Sequence, residues 1–150
     1  MAQAIRMAVE NVVAGHGGPF AALVVRDGEV IATGVNQVTS VNDPTAHAEI
    51  VAIRAACRAL GHFQLTGCDV YASCEPCPMC LGAIYWARPA RVFFAASRED
   101  AAAAGFDDSL IYSELEKNWN ERRIPMTGLM RDEAQRAFHE WLAKGDRVDY

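Results

Sequence analysis

The sequence predicts an α/β domain of three layers, a mixed β-sheet between helices. Three observations carry that expectation. Two β-rich runs are joined by an Asp-Gly turn, a later stretch reads strand–helix–strand, and helical apolar patterns stand near both ends. Antiparallel strands follow from the tight turn, and a parallel pair needs a crossover such as the helix between the later strands.

Residues 3–14 come first. Ile5, Ala8, Val9, Val12 and Val13 recur at helical spacing and predict one apolar face. Gly15-His16-Gly17-Gly18-Pro19 ends that helix. Phe20 to Val25 and Val30 to Val35 are the β-rich runs, with Arg26-Asp27-Gly28-Glu29 between them as the hairpin turn. Asn36 to Thr45 reads as a polar loop, and Ala46 to Leu60 as a helix stopped by Gly61. Val70 to Ser73 is a short strand, Cys77 to Ala87 a helix with Pro76 and Pro78 near its start, and Arg91 to Ala96 another strand. The following stretch carries no clear pattern until residues 131–143, where Ala134, Ala137, Phe138, Trp141 and Leu142 make an amphipathic face. Gly145 ends this last helix, and Asp146 to Tyr150 is a polar tail closed by an aromatic residue.

The chain of 150 residues fits one domain, 1–150, and its 51% hydrophobic content suffices for a core. No apolar run approaches the roughly 20 residues that span a bilayer. The N-terminus has no charged region leading into an apolar one, so no signal peptide and no membrane partner are expected. Five cysteines, three of them within Cys74 to Cys80, suggest a reducing cytoplasm and metal or redox chemistry rather than a disulfide scaffold. A net charge of −5 argues against a nucleic-acid partner.

Two short segments carry the chemistry: His47-Ala48-Glu49 and Pro76-Cys77-Pro78-Met79-Cys80, each opening a predicted helix. One helical turn brings the thiols of Cys77 and Cys80 to the same side. Thiolates and imidazole are zinc ligands, and the positive ends of the helix dipoles favour the thiolate. Three protein ligands leave a tetrahedral position open, the mark of a catalytic zinc, which lowers the pKa of a water there to about 7. Glu49 is then free to move protons. The combination H-x-E…P-C-x-x-C is the signature of zinc-dependent nucleobase deaminases.

Other readings of the same residues stay open. A C-x-x-C opening a helix also describes thiol–disulfide sites, although that reading leaves His47 and Glu49 unused. Cys74 as a fourth ligand would close the site and make it structural. Cys74, Cys57 and Cys68 otherwise read as buried thiols, and His16, His62 and His139 as isolated surface or packing residues.

Four stretches carry a family resemblance: Gly17-Gly18-Pro19-Phe20, the run from Asn42 through Glu49, the run from Ser73 through Trp86, and Gly105-Phe106-Asp107-Asp108. On them the chain resembles the cytidine deaminase-like superfamily, and within it the short bacterial zinc-dependent guanine deaminases. The Gly-Phe-Asp-Asp stretch and the terminal aromatic point to guanine. The resemblance covers nearly the whole chain and implies a five-stranded mixed sheet between helices. It implies hydrolytic deamination of guanine, a small purine base, to xanthine and ammonia. One zinc per subunit would be held by His47, Cys77 and Cys80, with Glu49 as proton shuttle. Phe20 would stack on the purine, Asn36 would bond its edge through the side-chain amide, and Ala48 would belong to the base-binding set. Asp108 would accept from guanine N–H groups and assist proton transfer. Tyr150 would close over the base. A homodimer is implied, in which residues 131–150 cross to the partner, so that Tyr150 completes a neighbour's site.

Without the resemblance these last residues have plainer readings. Phe20 also reads as core, Asn36 as a turn residue, Asp107 and Asp108 as caps of the next turn, and Tyr150 as part of a disordered tail. The rivals to guanine are guanosine, an amino-triazine, cytosine or transfer-RNA adenosine. The rivals to this enzyme are a non-catalytic zinc-stabilised binding module and a thiol–disulfide oxidoreductase.

Overall fold

Asp27 and Gly28 both take left-handed backbone angles, with φ of 53° and 83°. That pair of positive φ values is the pattern of a type I′ turn, whose twist matches a hairpin. In the computed structural model, which describes residues 1–150, this turn joins β1 (Ala21–Arg26) to β2 (Glu29–Val35). The register passes from Val24↔Ala32 to Val25↔Val30, so Ile31 is the extra residue of a β-bulge. On its other side β1 pairs antiparallel with β3 (Cys68–Cys74), Ala22 opposite Ala72. β3 then pairs parallel with β4 (Arg91–Ala96), Val70 opposite Val92. The sheet is mixed, in the order β2-β1-β3-β4.

Side chains alternate across this sheet and need cover on both faces. Helix α1 (Ala2–Val13) packs on β1 and β3, where Ala21 and Leu23 are buried. On the opposite face Ala22, Val24 and Val70 form one core with Ala48, Ala52 and Ala56 of α3 (Ala48–Leu60) and Ala87 of α4 (Pro78–Ala87). α4 is the crossover between the parallel strands β3 and β4. Gly34 sets how closely α3 sits on β2. A Cβ there would fall 2.3 Å from the Ala48 carbonyl oxygen and 2.5 Å from the Ala52 nitrogen.

Four expectations are corrected. The sheet has four strands rather than five. After β4, Ser97 and Asp100 form a reciprocal capping box and start α5 (Arg98–Ala103) instead of another strand. The predicted loop 36–45 contains one helical turn, α2 (Val38–Val41), stopped by Asn42 in the left-handed region. On α1 the inward residues are Ala4, Ala8 and Asn11, whereas Ile5, Val9, Val12 and Val13 are exposed. The small residues let the helix lie close to the sheet, which turns the larger apolar row outward. The helix expected at 131–143 forms, but Phe138 and Leu142 on its apolar face are exposed.

The chain divides into two compact units, Met1–Asp108 and Ser109–Tyr150. The first holds the sheet and α1 to α5. The second consists of α6 (Ser109–Leu115), a single 3₁₀ turn at Trp119–Glu121, α7 (Arg131–Ala143) and the tail. No helix is long and apolar enough to cross a membrane.

Candidate active site

Two helix N-termini build the centre. His47 is the N-cap of α3 and Cys77 the N-cap of α4, both with extended backbone (ψ 154° and 168°). Pro78 occupies the first turn of α4, where a missing N–H is not needed. Cys80 lies one turn along α4 and is fully buried. The Nδ1 of His47 stands 3.5 Å from the Sγ of Cys77 and 3.5 Å from the Sγ of Cys80. All three ligand atoms lie within 4.8 Å of one another. Zinc–sulfur and zinc–nitrogen bonds of about 2.3 and 2.05 Å at tetrahedral angles require an N···S separation of about 3.5 Å. The donor set therefore fits zinc in both chemistry and spacing.

Protons are shared unevenly in this cluster. A hydrogen bond from Cys80 is the largest influence on the Cys77 thiol; burial opposes it and His47 adds to it, and the result is a pKa lowered to about 4. The same hydrogen bond, burial and the Glu49 carboxylate push Cys80 upward. The sulfur pair thus holds one proton, and a bound divalent cation would draw both into the thiolate form. The imidazole of His47 is raised, chiefly by its hydrogen bond with Cys77.

Glu49 is the second residue of α3 and only 7% exposed. Its Oε2 accepts from the Cys80 thiol at 3.3 Å. Burial is the main reason its carboxyl lies above the ordinary range. A carboxyl so placed holds its proton more firmly than an exposed one, which suits a proton carrier. Cys74, the possible fourth ligand, instead donates to the Ser97 carbonyl at 3.5 Å and lies outside the cluster.

Of the residues expected to read a base, Phe20 and Asn36 are linked by backbone hydrogen bonds to the segment that leads into His47, and Asp108 feels the charge of Cys77. Asn36 is buried, and its backbone N–H donates to the Phe20 carbonyl at 3.0 Å. The next residue, Gln37, donates from its backbone to Ala46, which adjoins His47. Asn36 Oδ1 accepts from the backbone N–H groups of Gly18 (3.2 Å) and Val38 (3.3 Å), which turns Nδ2 away as a donor. Ala48 is fully buried at the first position of α3, where backbone N–H groups have no intrahelical partner. Asp108 is half-buried, and its carboxyl is raised first by burial and then by the charge of Cys77. Tyr150 belongs to the second unit, where its ring meets Trp141 edge-on at 6.5 Å.

Three supporting residues were not singled out from the sequence. Phe106 meets Phe20 edge-to-face, with ring centroids 4.9 Å apart. The Ser73 hydroxyl accepts from the Ala21 N–H at 2.9 Å, just after Phe20. Asn11 donates to both the Gly18 and Asn36 carbonyls at 2.9 Å. A lone Asn among the alanines and valines of α1 was the one signal the sequence offered for it.

Residues 1–96 match the zinc-binding region of cytidine and deoxycytidylate deaminases. The chain is 55% identical to the guanine deaminase of Bacillus subtilis strain 168 over 99% of its own length and 95% of the relative's. The X-ray structure of B. subtilis guanine deaminase superposes with a TM-score of 0.97 at 54% identity, covering 99% of this chain and 95% of that one. A structure of guanine deaminase from Nitrosomonas europaea follows at 32% identity and a TM-score of 0.67, covering 95% and 82%. A tRNA-specific adenosine deaminase of Agrobacterium fabrum is 50% identical, but over only 52% of this chain and 51% of its own. The chain therefore belongs to the zinc-binding cytidine and deoxycytidylate deaminase family, on the side of it that holds the bacterial guanine deaminases.

Proposed function

We propose that this protein hydrolyses guanine to xanthine and ammonia. The observation that carries the reading is the placement of a buried carboxylate, Glu49, against Cys80 of a three-ligand metal cluster. The full-length likeness to guanine deaminases supports the choice of base.

Zinc held by His47, Cys77 and Cys80 would supply a water acidic enough to act as nucleophile at neutral pH. The protein's own residues do the rest. Glu49 takes a proton from the attacking water and passes it to the ring nitrogen beside C2. It then takes the second proton from the oxygen now on C2 and delivers it to the departing amine. C2 gains the oxygen of water and loses its exocyclic nitrogen, so guanine and water become xanthine and ammonia. Phe20 offers a ring face for the purine to stack on. Asn36 Nδ2 donates to an acceptor on the base edge, with Ala48 N–H as a second donor. Asp108 accepts from guanine N–H groups and assists proton transfer. Adenine presents an acceptor on the corresponding ring edge, which a carboxylate disfavours.

Tyr150 closes over the base in this reading, and the functional unit is a homodimer exchanging residues 131–150. The exposed rows on α1 and α7 support a partner surface. Five free cysteines support a reducing, cytoplasmic setting. Zinc-loaded protein given guanine should release xanthine and ammonia in equal amounts. Guanosine, an amino-triazine, cytosine and transfer RNA serve as parallel substrates. No xanthine from guanine would sink the proposal, and faster release from transfer RNA would replace it with the adenosine reading. Light scattering of the pure protein tests the dimer; a monomeric mass would remove it.

A further inference from the structure

We propose that Asn11 is a positioning residue for the pair that reads the base, Phe20 and Asn36. The inference rests on the guanine reading above and deepens it. Asn11 lies on the buried side of α1 and is only 4% exposed. Its Nδ2 donates to the carbonyl of Gly18, two residues before Phe20, at 2.9 Å. The same Nδ2 donates to the carbonyl of Asn36 itself, at 2.9 Å across 25 residues of chain. One amide nitrogen thus ties together the two segments that carry the base-reading side chains.

The tie sits where the chains touch. Gly17 lies so close that a Cβ there would come 2.2 Å from the Asn36 carbonyl oxygen. Asn36 returns the contact by accepting from the Gly18 N–H through Oδ1. Fixing the Gly18 loop therefore fixes which way the Asn36 amide faces, and so where Nδ2 points. The Asn36 N–H in turn holds the Phe20 carbonyl.

The Oδ1 of Asn11 is buried with no hydrogen-bond partner. A buried, unsatisfied amide oxygen is unfavourable by itself. Turning the amide over would set that oxygen against two carbonyl oxygens, which is worse. The side chain is therefore held in one orientation, and its two donated bonds offset the orphaned oxygen.

The test measures guanine binding by equilibrium dialysis in the zinc-loaded, non-turning Glu49→Gln background. Zinc content and thermal midpoint are followed in parallel. Asn11→Leu removes both donors and keeps the bulk. Asn11→Ser folds more readily, because water can reach the two carbonyls, and reads the same quantity. We expect guanine binding about tenfold weaker or more in Asn11→Leu, a smaller loss in Asn11→Ser, and full zinc in both. In an Asn36→Ala background the part of the Asn11 effect that runs through the Asn36 amide should vanish, leaving a smaller effect through Phe20, because residues acting through one another are not additive. A purely structural role would lower the thermal midpoint yet leave the effect undiminished when Asn36 is absent; that result overturns the proposal. So does unchanged guanine binding in both variants. A parent protein that binds no guanine overturns the functional reading itself, and is distinguished by appearing before any Asn11 change.

Discussion

The thiol of Cys80 donates to the Oε2 of Glu49 across 3.3 Å, so a residue of the candidate metal cluster and the proposed proton carrier are in direct contact. The contact follows from two helix starts facing each other, with Glu49 in the first turn of α3 and Cys80 in the first turn of α4. Glu49→Gln keeps the shape of the side chain but cannot carry protons. Turnover of guanine should fall by about 10³-fold or more, since a positioned acid–base group is worth about 10²–10⁴ and this one acts at more than one step. Zinc content should be unchanged. Xanthine formation followed by absorbance and zinc measured per chain check both halves. A near-normal rate would remove Glu49 from the mechanism.

Gly34 is the next point of sensitivity, although it contacts no candidate ligand side chain. Its Cα faces the carbonyl of Ala48 and the backbone of Ala52, with no room for a methyl group. The obstructing atoms are backbone and cannot swing aside. Gly34→Ala should push the start of α3 away from β2, and His47 with it. Overpacking of this kind costs about 1–3 kcal/mol. At this chain length that corresponds to a thermal midpoint lower by very roughly 2–12 °C. Weaker zinc retention against a chelator should accompany it. A stable Gly34→Ala protein that holds zinc as firmly as the parent would show that the helix start can shift without cost.

The metal centre was readable because its pattern is local. His47 and Glu49 share one helix start, Cys77 and Cys80 another, and the ligand chemistry of each residue type is fixed. The hairpin was equally plain, since Asp27-Gly28 dictates its own turn. What could not be read depends on packing between distant segments. The apolar row Ile5, Val9 and Val12 satisfies helical periodicity, yet the smaller Ala4 and Ala8 lie against the sheet. Periodicity identifies a helix but not which of two apolar rows turns inward. The supports behind the proposed base-reading residues were hidden for a similar reason: Asn11 and Asn36 are 25 residues apart, and Ser73 and Ala21 are 52 apart. The fifth strand came from the resemblance, and after β4 the capping box at Ser97 sends the chain into a helix.

Phe106 offers a test of how the stacking ring is held. It meets Phe20 with the two ring planes at 86°, an edge-to-face pair. Such a pair contributes about 0.5–1.5 kcal/mol beyond the area it buries. If Phe20 stacks on the purine, loss of its brace should weaken guanine binding by about 2- to 12-fold at about 1.4 kcal/mol per tenfold. Phe106→Ala should therefore raise KM for guanine by that factor with kcat little changed. Phe20→Ala should cost more, because a stacked base is worth about 1–3 kcal/mol. Steady-state kinetics of the two variants check the order; a larger effect at Phe106 than at Phe20 would reverse the assigned roles.

Asp108 connects base recognition to pH. In the proposed role only the ionised Asp108 carboxylate can accept from guanine N–H groups at both oxygens, and its pKa is raised, first by burial and then by the charge of Cys77. The sign follows directly: kcat/KM for guanine should fall as pH drops through that raised value, above the range where an ordinary aspartate titrates. Glu49 is raised as well, so the acid limb belongs to both groups together. Asp108→Asn should lower kcat/KM about 10²- to 10⁴-fold, since an amide offers a donor where the base also donates. Whatever acid limb survives then belongs to Glu49 and the metal ligands. The same shift has a stability consequence of opposite sense. Because the folded state disfavours the ionised form, the carboxylate opposes folding above its raised pKa, and that penalty disappears below the unfolded value of about 3.9. Asp108→Asn should thus raise the thermal midpoint slightly at neutral pH while impairing turnover, with the gain absent at pH about 3. Parallel pH–rate profiles and thermal melts measure both. A variant that loses stability at neutral pH, or keeps its activity, would show that Asp108 supports the fold rather than reading the base.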